Sequence, residues 1–509
     1  EMSVRSAVGH VREIHDLVKS INPEIALYIN NSALRPDITG SNTRRVYDYV
    51  DMLGAEGGFY KPSLNKNSQF QTSVYAKYLE GISKDPLKAE KPVINFFAGN
   101  ESALTYYMHT PAETLLTYAE SYANGANVWY GVHYQASEFM HTESSQMSVR
   151  MNHFILDNRK YFGASKTCAR IALVWSEANA NHYSSSVAFS DFTAAIHAAD
   201  GSRGDQRDAL LVLAEALIRR HIQFDILDDI AVESGKLSGY ECALLPSIGA
   251  MSDRFAEEIK CFVKNGGNLL TAYEVGICDE NGNPREIPAL AELLGLKGRP
   301  QILKRDIGKG YMHRLAKQPP VDTLSLDRIP SPQRIARFGY EDDVSVLLDC
   351  TATMPSTYAV IPEERFPAVT VKKYGKGKAV YVAGDFLEST MQRNVLDFTE
   401  IFGRFCEAYA RPVVISEHEG LYEVVLRRLE DCFALHIINI TSPVERPVKK
   451  TVPLYDIPFS LDLSGFGLNI DNAKLKTLRG GSLNGIRTEE NKVTFRLDAL
   501  KDYEVVILE

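Results

Sequence analysis

The first 160 residues alternate helical and strand patterns with a regular beat, and that alternation restricts the fold more than any other feature of the chain. VREIHDLVKSI places apolar residues at helical spacing and stops at Pro23. EIALYINN, DMLGAEGG, KPVINFFAGNE and ANVWYGVHY are short apolar runs that read as strands. Between them SNTRRVYDYV, QTSVYAKYLEGISK and TPAETLLTYAESYANG read as helices, the first capped from Ser41 or Asn42. An amphipathic helix over residues 143–160 follows. The third helix has complete start and stop signals: Thr110 at the cap, Pro111 at the first position, Glu113 at the third and Gly125 past the end. Short apolar strands that each lead into a helix make a parallel sheet covered by helices. Four such units fit an open α/β sheet, and they fit equally the second half of an eight-stranded barrel.

In either fold the residues just after the strands share one rim, where such folds place their sites. The first strand ends in Asn30 and Asn31. The second gives Glu56, two glycines, then Phe59, Tyr60 and Lys61. The third gives Asn100 and Glu101, and the fourth Trp129, Tyr130 and His133. Aromatic faces stack on the C–H surfaces of a sugar ring, and amides pair with its hydroxyls. Glycoside cleavage needs two carboxyl groups, one to protonate the leaving oxygen and one to attack the anomeric carbon or activate water. Glu56 and Glu101 are therefore the catalytic candidates. Asn30, Asn31, Tyr60, Lys61, Asn100, Trp129, Tyr130 and His133 are the candidate sugar contacts. The plainer readings stand beside these: a glutamate after a strand is often a solvated loop residue, and a rim histidine is more often a wall than a ligand. No HxH or HExxH pattern supports a metal.

A chain of 509 residues exceeds one hydrophobic core, so several domains are expected. The net charge of -9, with no basic block, argues against non-specific nucleic-acid binding. Seven cysteines are scattered without a CxxC pair, which reads as free thiols in a reducing, cytoplasmic setting. No uncharged apolar window is long enough for a membrane span. A second α/β region, residues 165–411, begins at CARIALVWSE. Residues 189–220 read as largely helical, and residues 298–370 as strand-rich with many turns. GKGKAVYVAGDF reads as a hairpin turn entering a strand, and a helix over 389–411 closes the region. It is a doubly wound, flavodoxin-like layer with no GxGxxG after its first strand and no GxxxxGK[ST], so no dinucleotide, ATP or other cofactor is expected. Residues 412–509 alternate with period two between Gly- and Asn-containing turns, the pattern of a small β-sandwich.

The stretch ALLPSIGAMSDRFAEEIKCFVKNGGNLLTAYEVGICDENGNP, with PALAELLGL and YGKGKAVYVAGDF after it, resembles the trimerisation domain of the family 42 β-galactosidases. KPVINFF…TPAETLLTYAESYANGANVWYGVHY resembles the seventh strand, helix and eighth strand of their barrel. The group called hypothetical glycosyl hydrolase 6, which joins a barrel to this same domain, is also similar. The resemblance covers residues 20–400 and implies a glycosidase of β-galactosides or related oligosaccharides, a retaining mechanism and a homo-oligomer, in these families a trimer. It implies that residues 1–164 are the C-terminal half of a (β/α)8 barrel. The family nucleophile stands at the seventh-strand exit, where Glu101 is the nearest match, although Phe97, Ala98 and Gly99 occupy the places directly after the strand core. Glu56, at the sixth-strand exit, would be a replacement carboxylate. The family acid/base belongs to the fourth-strand exit, which by this count precedes residue 1, so the chain is expected to be a fragment lacking a first barrel half. The rival expectation is a non-catalytic glycan-binding or assembly protein with a degenerate barrel.

Overall fold

The computed structural model describes the chain apart from residues 1, 32–33, 35–39, 41, 58–67, 85–87, 102–103, 133–138, 184–186, 189–195, 198–205, 394, 443–446 and 468–472. Helix α1 spans Met2–Ile21. A parallel sheet follows, built from β1 (Leu53–Ala55), β2 (Val93–Ala98) and β5 (Asn127–Gly131) in that order. Parallel bridges Tyr28–Met52 and Asn31–Ala55 add the EIALYINN segment outside β1. Four chain segments thus lie side by side in sequence order, as expected of consecutive strand–helix units. Helices α2 (Gln71–Ser83), α3 (Pro111–Ala123) and α4 (Glu143–Asp157) connect and cover them. The α3 start is the capping box read from the sequence: Thr110 accepts from the Glu113 N–H while the Glu113 side chain accepts from the Thr110 N–H.

Two elements differ from the sequence reading. SNTRRVYDYV is not an α-helix; it holds a single 3₁₀ turn at Tyr47–Tyr49. The expected cap does form, with Asn42 Oδ1 accepting from Arg45 N at 2.9 Å. Helix growth stops because Lys91 Nζ takes up the Tyr47 and Val50 carbonyls. A hairpin of β3 (Asn100–Glu101) and β4 (Leu104–Met108) rises beyond β2, where an exit loop was expected.

The middle of the chain carries a nine-stranded sheet. Its first five strands are parallel, in the order Asp225–Leu227, Ile171–Val174, Cys242–Leu245, Asn268–Ala272 and Gly377–Val382. Arg365–Tyr374, Ser345–Thr351, Tyr311–Arg314 and Arg328–Pro330 extend it antiparallel, and Leu296–Lys304 pairs with Arg334–Tyr340 in a separate two-stranded sheet, which accounts for the strand-rich stretch in the sequence. Helix Gln206–Ile218 falls in the stretch read as helical, but Val187–Ala188 and Ile196–His197 pair as antiparallel strands. The last residues form two sheets. Along Tyr422–Arg428, Val424 and Leu426 face a cluster shared between these sheets, while Val425 faces the main core. Lys166–Thr167 pairs with this strand, so the link out of the first section is stitched into the C-terminal sheets. The main apolar core runs without a break from Tyr78 and Leu79 of α2 to Trp175 and Ile226 of the middle section.

Polar contacts lock the sections together. Arg44 forms a buried bidentate pair with Asp228, at 2.6 and 2.7 Å. Arg427 reaches Glu80 of α2 at 2.5 Å. Ser73 Oγ donates to Glu423 at 2.5 Å, and the Ser73 N–H donates to Glu120 of α3 at 3.1 Å. The seven cysteines form no disulfides; Cys261 is exposed and the others are buried. No helix among the described residues is long and apolar enough to cross a membrane.

Candidate functional site

Successive residues of a strand point to opposite faces, and paired residues of neighbouring strands point to the same face. The register pairs Ala55 with Asn95 and Phe96 with Trp129, so Glu56, Phe96 and Trp129 form one row across the sheet. The bridge from Tyr28 to Met52 puts Tyr28 and Asn30 on this same side. The opposite side meets the helices and holds Leu53, Ala55, Asn95 and Phe97, all buried.

The row is tightly interlocked. Asn30 Nδ2 donates to Glu56 Oε1. Tyr28 Oη lies 3.4 Å from Asn30 Oδ1, on which it donates. The Trp129 ring is 49% exposed and meets the rings of Tyr28 and Phe96 edge-on, at 5.3 and 5.1 Å. Two glycines make room. A Cβ on Gly54 would stand 2.1 Å from the Tyr28 ring, and one on Gly57 would stand 2.1 Å from Asn95 Oδ1. The LGAEGG sequence therefore lets Tyr28 lie across the sheet and lets the chain turn tightly after Glu56. Burial, then the adjacent Glu56 carboxylate, pushes the Tyr28 phenol far above its ordinary value.

Of the residues singled out in the sequence, the fold brings together Asn30, Glu56 and Trp129. Asn31 and Tyr130 do not join them. Asn31 is 3% exposed and donates to the Ile29 and Gly54 carbonyls. Tyr130 leans on Phe97, with its hydroxyl 3.3 Å from Ser144 Oγ at the start of α4. Both sit one residue out of phase with the row, and a two-residue period counted from Asn30 and Trp129 separates them. Asn100 is buried in the hairpin, opposite Met108. Glu101 pairs with Leu104 at the hairpin tip, five residues beyond the level of Glu56 on the neighbouring strand; its side chain lies outside the described residues. Tyr60, Lys61 and His133 lie outside them as well. Tyr28 and Phe96 were not singled out, although Tyr28 has the same parity as Asn30. Among the described residues no cluster of His, Cys, Asp or Glu is arranged to hold a metal ion.

This arrangement offers one carboxylate oxygen held by an amide, beside an exposed indole on an aromatic base. Residues 169–306 match the family described as the β-galactosidase trimerisation domain. The β-galactosidase BglY of Alicyclobacillus acidocaldarius is 28% identical over 176 residues, which cover 33% of this chain and 22% of BglY. The β-galactosidase BgaP of Planococcus sp. strain L4 is 24% identical over 261 residues, 49% of this chain and 34% of BgaP. The chain is similar to the family 42 β-galactosidases. These matches span about a fifth to a third of the curated relatives' length. Solved structures share the fold of this family 42-like chain. The α-L-fucosidase isoenzyme 2 of Paenibacillus thiaminolyticus superposes with a TM-score of 0.71 at 15% identity, covering 99% of this chain and 71% of its own. A catalytic mutant of Gan42B, a family 42 β-galactosidase of G. stearothermophilus, gives 0.64 at 16% identity, covering 96% and 64%.

Proposed function

We propose that this chain is a glycoside hydrolase, cleaving a β-galactoside or related oligosaccharide at the rim of its four-segment sheet. The observation that carries the reading is the row of Glu56, Phe96 and Trp129 on one open face, next to a domain of β-galactosidase type. Glu56 and Glu101 are the two proposed carboxyl groups, one attacking the anomeric carbon while the other protonates the leaving oxygen. Trp129 stacks against a sugar face and Asn30 borders the reacting carboxylate. Retention is the proposed outcome, and it calls for carboxyl groups about 5–5.5 Å apart. The hairpin that carries Glu101 is the part that must lean over the row to bring them to that distance. Residues 1–164 are read as part of a (β/α)8 barrel, 165–411 as a flavodoxin-like, trimerisation-type domain and 412–509 as a β-sandwich. The proposed assembly is a homo-oligomer, in the simplest case a trimer, a reading supported by the matched domain.

The test is the anomeric form of the first sugar released from an aryl β-galactoside, followed by proton NMR before mutarotation. Retention gives the β-anomer first. Release of the α-anomer would overturn the retaining mechanism, and no release from any aryl glycoside or oligosaccharide would overturn the hydrolase.

A further inference from the structure

The geometry points to Tyr28 and Asn30 as positioning residues that hold Glu56 as a hydrogen-bonded carboxylate through a relay from phenol to amide to carboxylate. This inference rests on the reading of Glu56 as a reacting group.

An asparagine amide has two ends of similar shape and opposite character: its oxygen accepts and its nitrogen donates. Asn30 sits between two neighbours, so the orientation of its amide decides what Glu56 receives. Tyr28 settles that orientation. Its phenol is half-buried beside a carboxylate and keeps its proton across the working pH range, so it is always able to donate. It donates to Oδ1 at 3.4 Å, which turns Nδ2 toward Glu56 Oε1. The reverse orientation would set an amide oxygen against a carboxylate oxygen, acceptor against acceptor. A donor aimed at Oε1 favours the anion over the acid.

The first member of the relay is held from both sides. Gly54 leaves the space the Tyr28 ring fills, and the Trp129 edge closes over it at 5.3 Å. The Tyr28 phenol is a titratable group coupled to Glu56, and behind Gly57 the Tyr75 Cβ of α2 closes the space next to the turn. Phe96 and Trp129 carry no charge, and the Glu101 backbone stands further along the rim.

The experiment follows the protonated-carboxyl infrared band that Glu56→Gln removes, as a function of pH, in the parent protein, Tyr28→Phe and Asn30→Ala. The expected result is a midpoint raised by about 0.5–1 pH unit in Tyr28→Phe and by at least as much in Asn30→Ala. The acid limb of kcat/KM moves up with it, and in Tyr28→Phe KM stays near the parent value. A side chain that merely packed would lower activity at every pH without moving the midpoint. Unmoved midpoints in both variants would overturn the relay. Asn30 is exposed, so Asn30→Ala carries the test if Tyr28→Phe does not fold. A moved midpoint with full activity in Glu56→Gln would leave the relay standing and remove Glu56 from catalysis. Lost activity in Glu56→Gln with unmoved midpoints would do the reverse.

Discussion

Glu56 follows three buried residues of β1 directly and precedes a glycine that only a bare backbone can satisfy. Both facts are local, and for that reason its place on the rim was legible in LGAEGGFY. Its partners were not. Tyr28 is separated from it by 28 positions, and nothing in EIALYINN announces that a tyrosine ring will lie over Gly54. The two-residue period would have assigned Tyr28 and Phe96 to the open face and Asn31 and Tyr130 to the helices, but short strands give that period few residues to declare itself. Two predictions belong to this scale. Gly54→Ala forces the Tyr28 ring off the sheet and destabilises the fold by about 1–3 kcal/mol in urea denaturation. Trp129→Ala removes the stacking surface and raises KM for an aryl galactoside by about tenfold, with kcat changed less.

Helix α3 shows what a sequence discloses about an element and what it withholds. TPAETLL spells out a capping box because each partner lies within one turn. The same two side chains also grip the C-terminal section: Thr110 Oγ1 donates to the Val448 carbonyl at 2.5 Å, and the Val448 N–H donates to Glu113 Oε1 at 3.0 Å. That second use depends on residues more than 330 positions away. Thr110→Ala therefore loses a cap and the contact to Val448 together, and should cost about 1–2 kcal/mol in thermal or urea unfolding. SNTRRVYDYV is the converse case. Its cap was correctly placed at Asn42, yet the helix gives way to a 3₁₀ turn because Lys91 and Asp228 claim its carbonyls and its Arg44 side chain. The β3–β4 hairpin was hidden for another reason. NESALTYYM is short, and among the described residues its strands pair only with each other.

At the scale of the whole molecule, the first and C-terminal sections meet at a buried charged junction made by Ser73, Lys77, Glu80, Glu120, Glu423 and Arg427. Burial, then the neighbouring Glu423 carboxylate, holds Glu120 well above its ordinary value of 4.5. The folded chain thus keeps a proton that the unfolded chain releases, and stability falls as pH rises above 4.5 toward the raised value. Burial alone would raise Glu80 too, but Arg427 and Lys84 outweigh it and bring that carboxyl down to about 2. Its contribution is present above 4.5 and is lost as pH falls toward 2. Glu120→Gln should therefore raise the melting temperature at pH 8 and leave it unchanged at pH 4, as read by calorimetry across pH. No stretch of sequence displays this junction, since it joins residues from α2, α3 and the strand Tyr422–Arg428. The same folding brings Glu56, Asn30 and Trp129 to one open face, and the central claim is that this face does chemistry. The most direct measurement is kcat/KM of full-length Glu56→Gln on an aryl β-galactoside, with its circular dichroism matched to the parent. A loss of about a thousandfold or more is predicted; activity within about tenfold of the parent would contradict it.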